Sequence, residues 1–417
     1  MYDLRLSAEQ IEMRDTVRDF VAREIRPAAL QPARLEPFEK PLLTDLLAKA
    51  SQMGLRTAAL SEEAGGAGAD CLTSCLVMEE LGAGDVDIAV ALGHTAALAP
   101  LVFERLMTSA QRSRFLPKFS SEDDFHLAFA GRDPYAGIGW SYHRPLADED
   151  APAISAVKQG NGDWLINGSI SFVPNAPIAK LFVVEAKTGS SGVGAFLVPR
   201  GTPGLTIGKP AKAVGGARAD GEPVNRWHHG SGAAVSFKDC RVGADHALGE
   251  AAQAADALRG SVQMAAINLG VGRAAYEAAV DYAKLRRQGG RNIIEHQAIG
   301  AKLAACAMKL EIARTMIWKA AWALDHPQDD AGASDLPLHV IARVYTAEAV
   351  NDVALLAAEC FGAMGVMRDM PLQKYVHDSM VFLHSGDLDS AAKLAVAEAV
   401  AGYRRAAIAG ARESVRA

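Results

Sequence analysis

The sequence predicts a mainly α fold with a β-domain inserted between two helical parts. Three observations carry this. Apolar residues recur at helical spacing over 1–122. They alternate with period two between Gly, Asn and Asp turns over 123–245. They return to helical spacing over 246–417. Aromatic content is only 6%, and small residues, chiefly Ala and Gly, are frequent. That bias favours closely packed helices over an aromatic-rich β-protein.

The first part opens with Ser7 and Gln10 in an S-x-x-Q capping box. Val17, Phe20, Val21 and Ile25 then repeat at helical spacing, and Pro27 is expected to stop that helix. Leu43, Leu46, Leu47 and Ala50 predict a second helix ending at Gly54, and SEEAGGAGAD reads as a Gly-rich loop. Cys71 to Leu81 is helical again, and Ile88 to Leu106 continues as an apolar stretch. In the middle part, ISAVKQG-NG-DWLING predicts a hairpin turning at Asn161-Gly162. KLFVVEAKT, GVGAFLVP and AAVSFKDCRV read as further strands. The last part predicts long helices over Ala257–Arg287, from His296 to about Leu324, from about Leu338 to Phe361, and from about Ser390 to Ala411. Their length without a coiled-coil heptad suggests an antiparallel four-helix bundle.

The formal net charge is -6, with no basic run, so nucleic-acid binding has no electrostatic support. Five cysteines, an odd number with no CxxC pair, point to a reduced, cytoplasmic compartment. Cys71 and Cys75 lie one helical turn apart and read as buried thiols, and no metal site is expected. The polar N-terminus shows no signal peptide, and no stretch approaches the ~18 apolar residues expected of a membrane span. In RADGEPVNRWHHGSG, His228 and His229 are adjacent. On an extended chain they face opposite sides, so one metal cannot readily take both.

Seven segments, in order, resemble the acyl-CoA dehydrogenase family of flavoproteins. They are LSAEQIEMRDTVRDFVAREIRPAA, MGLRTAALSEEAGGAGAD, VMEELGAGDVDIAVALGHTAAL, DWLINGSISFVPNA, VSFKDCRV, LGVGRAAYEAAVDYAKLRRQGGRNIIEHQAIGAKLA and ECFGAMGVMRDMPLQKYVHD. The resemblance covers nearly the whole chain. It implies FAD bound between the β-domain and the C-terminal bundle, with part of each site supplied by a neighbouring subunit. A homodimer or homotetramer follows from it. The implied reaction takes an α-proton and a β-hydride from an acyl-CoA thioester, with electron-transfer flavoprotein as a possible partner.

The resemblance assigns roles to individual residues. Arg286 falls where the family arginine meets the cofactor pyrophosphate of the neighbouring subunit, a role that suits a guanidinium fork. His296 and Gln297 occupy the HQ pair near the adenosine part. Glu359, Gly362 and Ala363 fall in the family's Gln-x-x-Gly-Gly stretch. Phe129 and Gly131 lead into the strand along the flavin. There Arg132, Asp133 and Pro134 replace Thr-Glu-Pro, and Arg132 would favour an anionic reduced flavin. Phe172-Val173-Pro174 replaces Trp-Ile-Thr, so Pro174 brings neither hydroxyl nor N–H to the flavin.

The largest departure is at the catalytic carboxylate. Gly386 stands in the place of the family glutamate, and the alternative base position on the long helix falls near Gly260. Asp387, one residue along, is the expected substitute. Asp85 and Asp87 begin the helix that lines the family's acyl pocket, and both are good N-cap types. His94 lies further along it, and Asp87 and His94 are the implied pocket residues. Two other readings remain open. One is a flavin monooxygenase or desulfinase-type relative. The other is the non-catalytic subunit of a heteromeric dehydrogenase.

Overall fold

The computed structural model describes residues 3–35, 41–131, 153–189, 192–209, 228–248, 262–326, 336–367, 369–384 and 390–402. Arg132, Asp133, Pro134, Trp227, Gly260, Gly386 and Asp387 lie outside the described residues. The architecture is the one predicted: helices, then a seven-stranded sheet, then a helical bundle.

Helix α1 (Ala8–Phe20) starts at the capping box, with both reciprocal Ser7–Gln10 hydrogen bonds formed. Pro27 does not end it. The chain stays helical through a π turn (Val21–Ile25) into α2 (Arg26–Ala29). The wider turn carries the chain to Pro27, which sits in the first turn of α2, where a missing N–H costs little. Helices α3 (Thr44–Gln52), α4 (Cys71–Gly84), α5 (Val86–Pro100) and α6 (Ser109–Ser121) complete the first part. Asp85 caps α5, its Oδ1 accepting from the backbone N–H groups of Asp87 and Ile88 at 3.0 and 3.1 Å.

The sheet strands are β1 (His126–Ala130), β2 (Ile154–Lys158), β3 (Trp164–Pro174), β4 (Ala179–Thr188), β5 (Gly192–Pro199), β6 (Leu205–Ile207) and β7 (Gly232–Val242). They run in the order β1-β4-β2-β3-β7-β6, with β5 also paired to β4. The Asn161-Gly162 turn joins β2 to β3, and Gly162 takes a φ of 92° there. Strand β4 is buried on both faces. Phe182 and Val184 enter one apolar cluster, whereas Leu181 and Val183 enter another under α5 and α6. That is why KLFVVEAKT reads as a continuous apolar run rather than an alternation.

Helices α7 (Val262–Leu285), α8 (Gln297–Asp325), α9 (Leu338–Phe361), α10 (Leu372–His384) and α11 (Ser390–Ala401) form the last part, with a two-residue hairpin (β8, Arg287–Gln288; β9, Arg291–Asn292) between α7 and α8. The helical spacing did not reveal α10. Lys374, Asp378 and Ser379 lie on its buried face and interrupt the apolar stripe. Two helical stretches, Val86–Leu106 and Leu338–Val366, are longer and more apolar than the sequence reading allowed, enough by length and composition to cross a membrane. The most apolar 18-residue window of the first is 83% buried inside the fold, which identifies its apolar surface as core.

One apolar core runs from α1, α4 and α5 into α7, α8, α9 and α10. At its centre α4 crosses α7 backbone to backbone. A Cβ on Gly82 would lie 2.3 Å from the Ile267 carbonyl oxygen, and one on Gly270 would lie 2.2 Å from that of Glu79. Beside this crossing, Glu80 is 3% exposed and bound by two arginines. Arg273 donates to Oε1 and Oε2 at 2.9 and 2.5 Å, and Arg18 donates at 2.7 and 3.3 Å. Arg314 of α8 grips Glu79 at 2.9 and 3.2 Å. Burial alone would raise the Glu80 carboxyl. The Arg273 and Arg18 hydrogen bonds outweigh it and hold the group below its ordinary range.

Glu80→Ala leaves a buried hole and leaves Arg273 with the longer contacts to Glu79 and Glu277, and is expected to cost about 3 kcal/mol. Lys393→Ala breaks the exposed pair with Glu348 and should cost at most about 1 kcal/mol. Urea unfolding of the two variants checks the contrast. Equal losses would show that the buried network contributes nothing special.

Candidate functional site

The residues singled out from the sequence fall into two groups. The first lies where the sheet meets α5 and α10. Phe129 is half-buried at the end of β1. At Gly131 a Cβ would sit 2.5 Å from the Phe129 ring and 3.0 Å from Glu185 Oε2, so a side chain there would have to displace one of them. Phe172 on β3 is 5% exposed, and its ring lies over Gly232, where a Cβ would be 2.2 Å from Cζ. Pro174 is half-buried and pairs with Gly232.

The end of β3 is held by Asn175, a residue the sequence reading passed over. Asn175 adopts φ 62° and is 1% exposed. Its Nδ2 donates to the Ala91 carbonyl at 2.8 Å, to Thr95 Oγ1 at 3.2 Å and to the Leu127 carbonyl at 3.4 Å. One amide thus ties the strand end to α5 and β1. Asn tolerates the left-handed region better than other side chains, and its position after Pro174 was the available signal. Thr95 Oγ1 also lies 3.2 Å from His126 Nδ1.

Asp87 is 1% exposed. Its Oδ1 accepts the Gly230 N–H at 2.8 Å and lies 3.7 Å from His229 Nδ1. The two adjacent histidines diverge, at a bend rather than on the extended chain expected of them. His228 stacks on Phe172 with ring centroids 4.2 Å apart. His229 turns the other way, its Nε2 2.8 Å from the Asp378 carbonyl oxygen and its ring 4.8 Å from Phe382. Beneath them Lys374 Nζ binds Asp378 Oδ2 at 2.6 Å, with both side chains buried. Burial would lower the Lys374 pKa, but Asp378, Asp85 and Asp87 outweigh it and hold it raised.

The second group sits at the other end of the bundle. Arg286 is exposed just before the Arg287–Asn292 hairpin, whose turn residues Gly289 and Gly290 have φ 60° and 83°. His296 Nε2 lies 3.0 Å from the Gln288 carbonyl oxygen, and Gln297 opens α8, exposed. Lys302 of α8 pairs with Glu359 of α9 at 2.5 Å, and Tyr282 stacks on Phe361 at 4.1 Å. These contacts bring Arg286, His296 and Gln297 beside Glu359, Gly362 and Ala363. Gly362 ends α9 with φ 58°, and nothing lies within 4 Å of where its Cβ would be. The helix-ending role and an open backbone coincide there.

The two groups lie far apart within one chain. A Cβ added to Gly93, next to His94, would lie 3.4 Å from Ile267 Cδ1. Arg286 follows Ile267 by 19 positions, about 28 Å along a helix axis.

Comparison with known proteins agrees with this architecture. Family models describing the acyl-CoA dehydrogenase N-terminal, middle and C-terminal domains match residues 7–123, 146–224 and 251–386. An acyl-CoA dehydrogenase of Bacillus subtilis is 30% identical over 390 residues, 91% of this chain and 94% of that one. The mitochondrial short-chain specific acyl-CoA dehydrogenase of Rattus norvegicus is 30% identical over 88% of this chain and 84% of its own. The structure of butyryl-CoA dehydrogenase from Megasphaera elsdenii superposes with a TM-score of 0.79 at 26% identity, covering 96% of this chain and all of that one. These matches and the shared fold mark an oxidoreductase of the flavoprotein type. The chain belongs to the acyl-CoA dehydrogenase family.

Desolvation pushes His94, His126 and His228 from an ordinary pKa of 6.5 down to about 4. Between those values the unfolded chain binds more protons than the native one. The contribution is therefore complete above pH 6.5 and is lost as pH falls toward 4. Each histidine adds a slope of about 1.4 kcal/mol per pH unit within that window. Urea unfolding at pH 7 and pH 5 should show the loss, and His94→Phe should remove about a third of these histidines' share. An unchanged slope in that variant would mean that His94 titrates normally.

Proposed function

We propose that this protein is an FAD-dependent acyl-CoA dehydrogenase with a displaced base, desaturating an acyl-CoA thioester between Cα and Cβ. The observation that supports the reading is that the residues matching the family's cofactor motifs gather in two groups at opposite ends of α7, as one extended cofactor shared between copies would need. Gly131 and Gly232 let the Phe129 and Phe172 rings pack flat against the backbone, and open Gly362 and exposed Arg286 suit a phosphate-bearing end. Their separation along α7 supports a site completed by a second copy, hence a homodimer or homotetramer. Exposed Met308 and Ile312 on α8 and Leu355 on α9 offer apolar surface for that contact.

Bound FAD would supply the hydride acceptor. Phe129 and Phe172 would shield the ring, while Arg286, with His296 and Gln297, would hold the distal end of the partner copy's cofactor. Asp387 would take the α-proton in place of the residue missing at Gly386. Its shorter side chain needs a closer backbone, which the adjacent glycine permits. Arg132 would stabilise negative charge on the reduced ring. Asp87 and His94 would border the acyl chain from α5. His94 is neutral above pH 4, so it would contribute shape and polarity rather than charge. Electron-transfer flavoprotein is the expected electron acceptor, and the cytoplasm the expected compartment.

Gly386 at the glutamate position also supports a second reading, the non-catalytic subunit of a heteromeric dehydrogenase. One experiment separates the two. The purified chain, reconstituted with FAD, is mixed anaerobically with short, branched and alicyclic acyl-CoAs. Bleaching of the flavin is expected with at least one, and Asp387→Asn should slow it by about 10²–10⁴-fold with flavin retained. A chain that binds FAD yet is reduced by no thioester would sink the dehydrogenase reading. A chain that is colourless until a second subunit is added would establish the alternative.

A further inference from the structure

The strongest feature left over is the segment His228–Gly230, which is wedged between three elements. On one side His228 lies flat on Phe172, 4.2 Å away with the ring planes 20° apart. On the other side His229 reaches the Asp378 carbonyl oxygen of α10 at 2.8 Å and packs its ring on Phe382 at 4.8 Å. Gly230 presses on α5. It has φ 81°, a Cβ there would meet Val90 Cγ1 at 3.0 Å, and its N–H is taken by Asp87 at 2.8 Å.

Each anchor is itself immobilised. Asp378 is neutralised by buried Lys374, which also feels Asp85 and Asp87. Asp87 belongs to the first turn of α5, capped by Asp85. Phe172 is confined by Gly232 beneath its ring. Burial keeps His228 uncharged above pH 4, so it acts on Phe172 as a flat neutral ring rather than a cation.

We propose that His229 is a positioning residue: by locking residues 228–230 onto α10 and α5, it sets the stack of His228 on Phe172, and so the cofactor-facing end of β3 takes its place from α10. The inference rests on the flavin reading above. It adds a mechanical link between the helix preceding the Gly386 position and the aromatic ring proposed to shield the flavin. A loss of the Asp378 contact would be felt as a change at Phe172.

The test uses full-length protein reconstituted with FAD. His229→Phe keeps a ring against Phe382 but loses both polar contacts. His229→Gln keeps an N–H for the Asp378 carbonyl. His229→Phe should raise the FAD Kd, read by fluorescence quenching, about tenfold. It should also shift the visible flavin band and lower kcat more than it raises KM. His229→Gln should recover most of each effect. Wild-type affinity and spectrum in His229→Phe would overturn the proposal. So would equal losses in both variants in step with melting temperature, since these would mark His229 as simple filler. If His229→Phe does not fold, His228→Leu decides. It leaves the His229 contacts in place, and an unchanged flavin band there would equally overturn the link. A wild-type chain that takes up no FAD would instead defeat the flavin reading, and this inference with it.

Discussion

The close crossing of α4 and α7 is the constraint on which the rest of the structure depends. Gly82 and Gly270 let the two backbones touch, and any side chain at either position would meet a carbonyl oxygen. Close approach brings Glu79 and Glu80 of α4 against Arg273 of α7 and Arg314 of α8. Buried carboxylates are tolerable there only because each is held by guanidinium forks. The crossing therefore fuses the first helical part to the bundle as one core, and α5 and α10 are set relative to each other through it.

That placement makes the candidate site a junction rather than a pocket within one domain. Phe172 and Pro174 come from the sheet, Asp87 and His94 from α5, and Lys374 and Asp378 from α10. Asn175 and the His228–Gly230 segment stitch these elements together with polar contacts directed at backbone groups. Backbone-directed bonds define position more tightly than apolar contact does, because they fail with small changes in distance and angle.

Much of the fold was legible in the residues. The Ser7–Gln10 box, the Asn161-Gly162 turn and the period change between the parts each have a local cause, and each formed. His228 and His229 diverge as expected, but from a bend rather than an extended chain. Less was legible where buried polar groups replace apolar ones. Lys374 and Asp378 hid α10 by breaking its stripe, and the buried role of Asn175 depends on Ala91, Thr95 and Leu127 from other elements. The stop expected at Pro27 failed because a π turn placed it within the first turn of a new helix.

The residues alone determined the order of helix, sheet and bundle and the family to which that order belongs. These depend on periodicity, turn chemistry and motif order, which are local properties of the chain. Only the tertiary structure decided that Arg286 and His94 lie at opposite ends of α7, that Glu80 is shared by two arginines, and that His229 links α10 to the stack on Phe172. Each of these joins residues from separate elements, and such partners are chosen by how whole helices and strands pack, which no local pattern encodes.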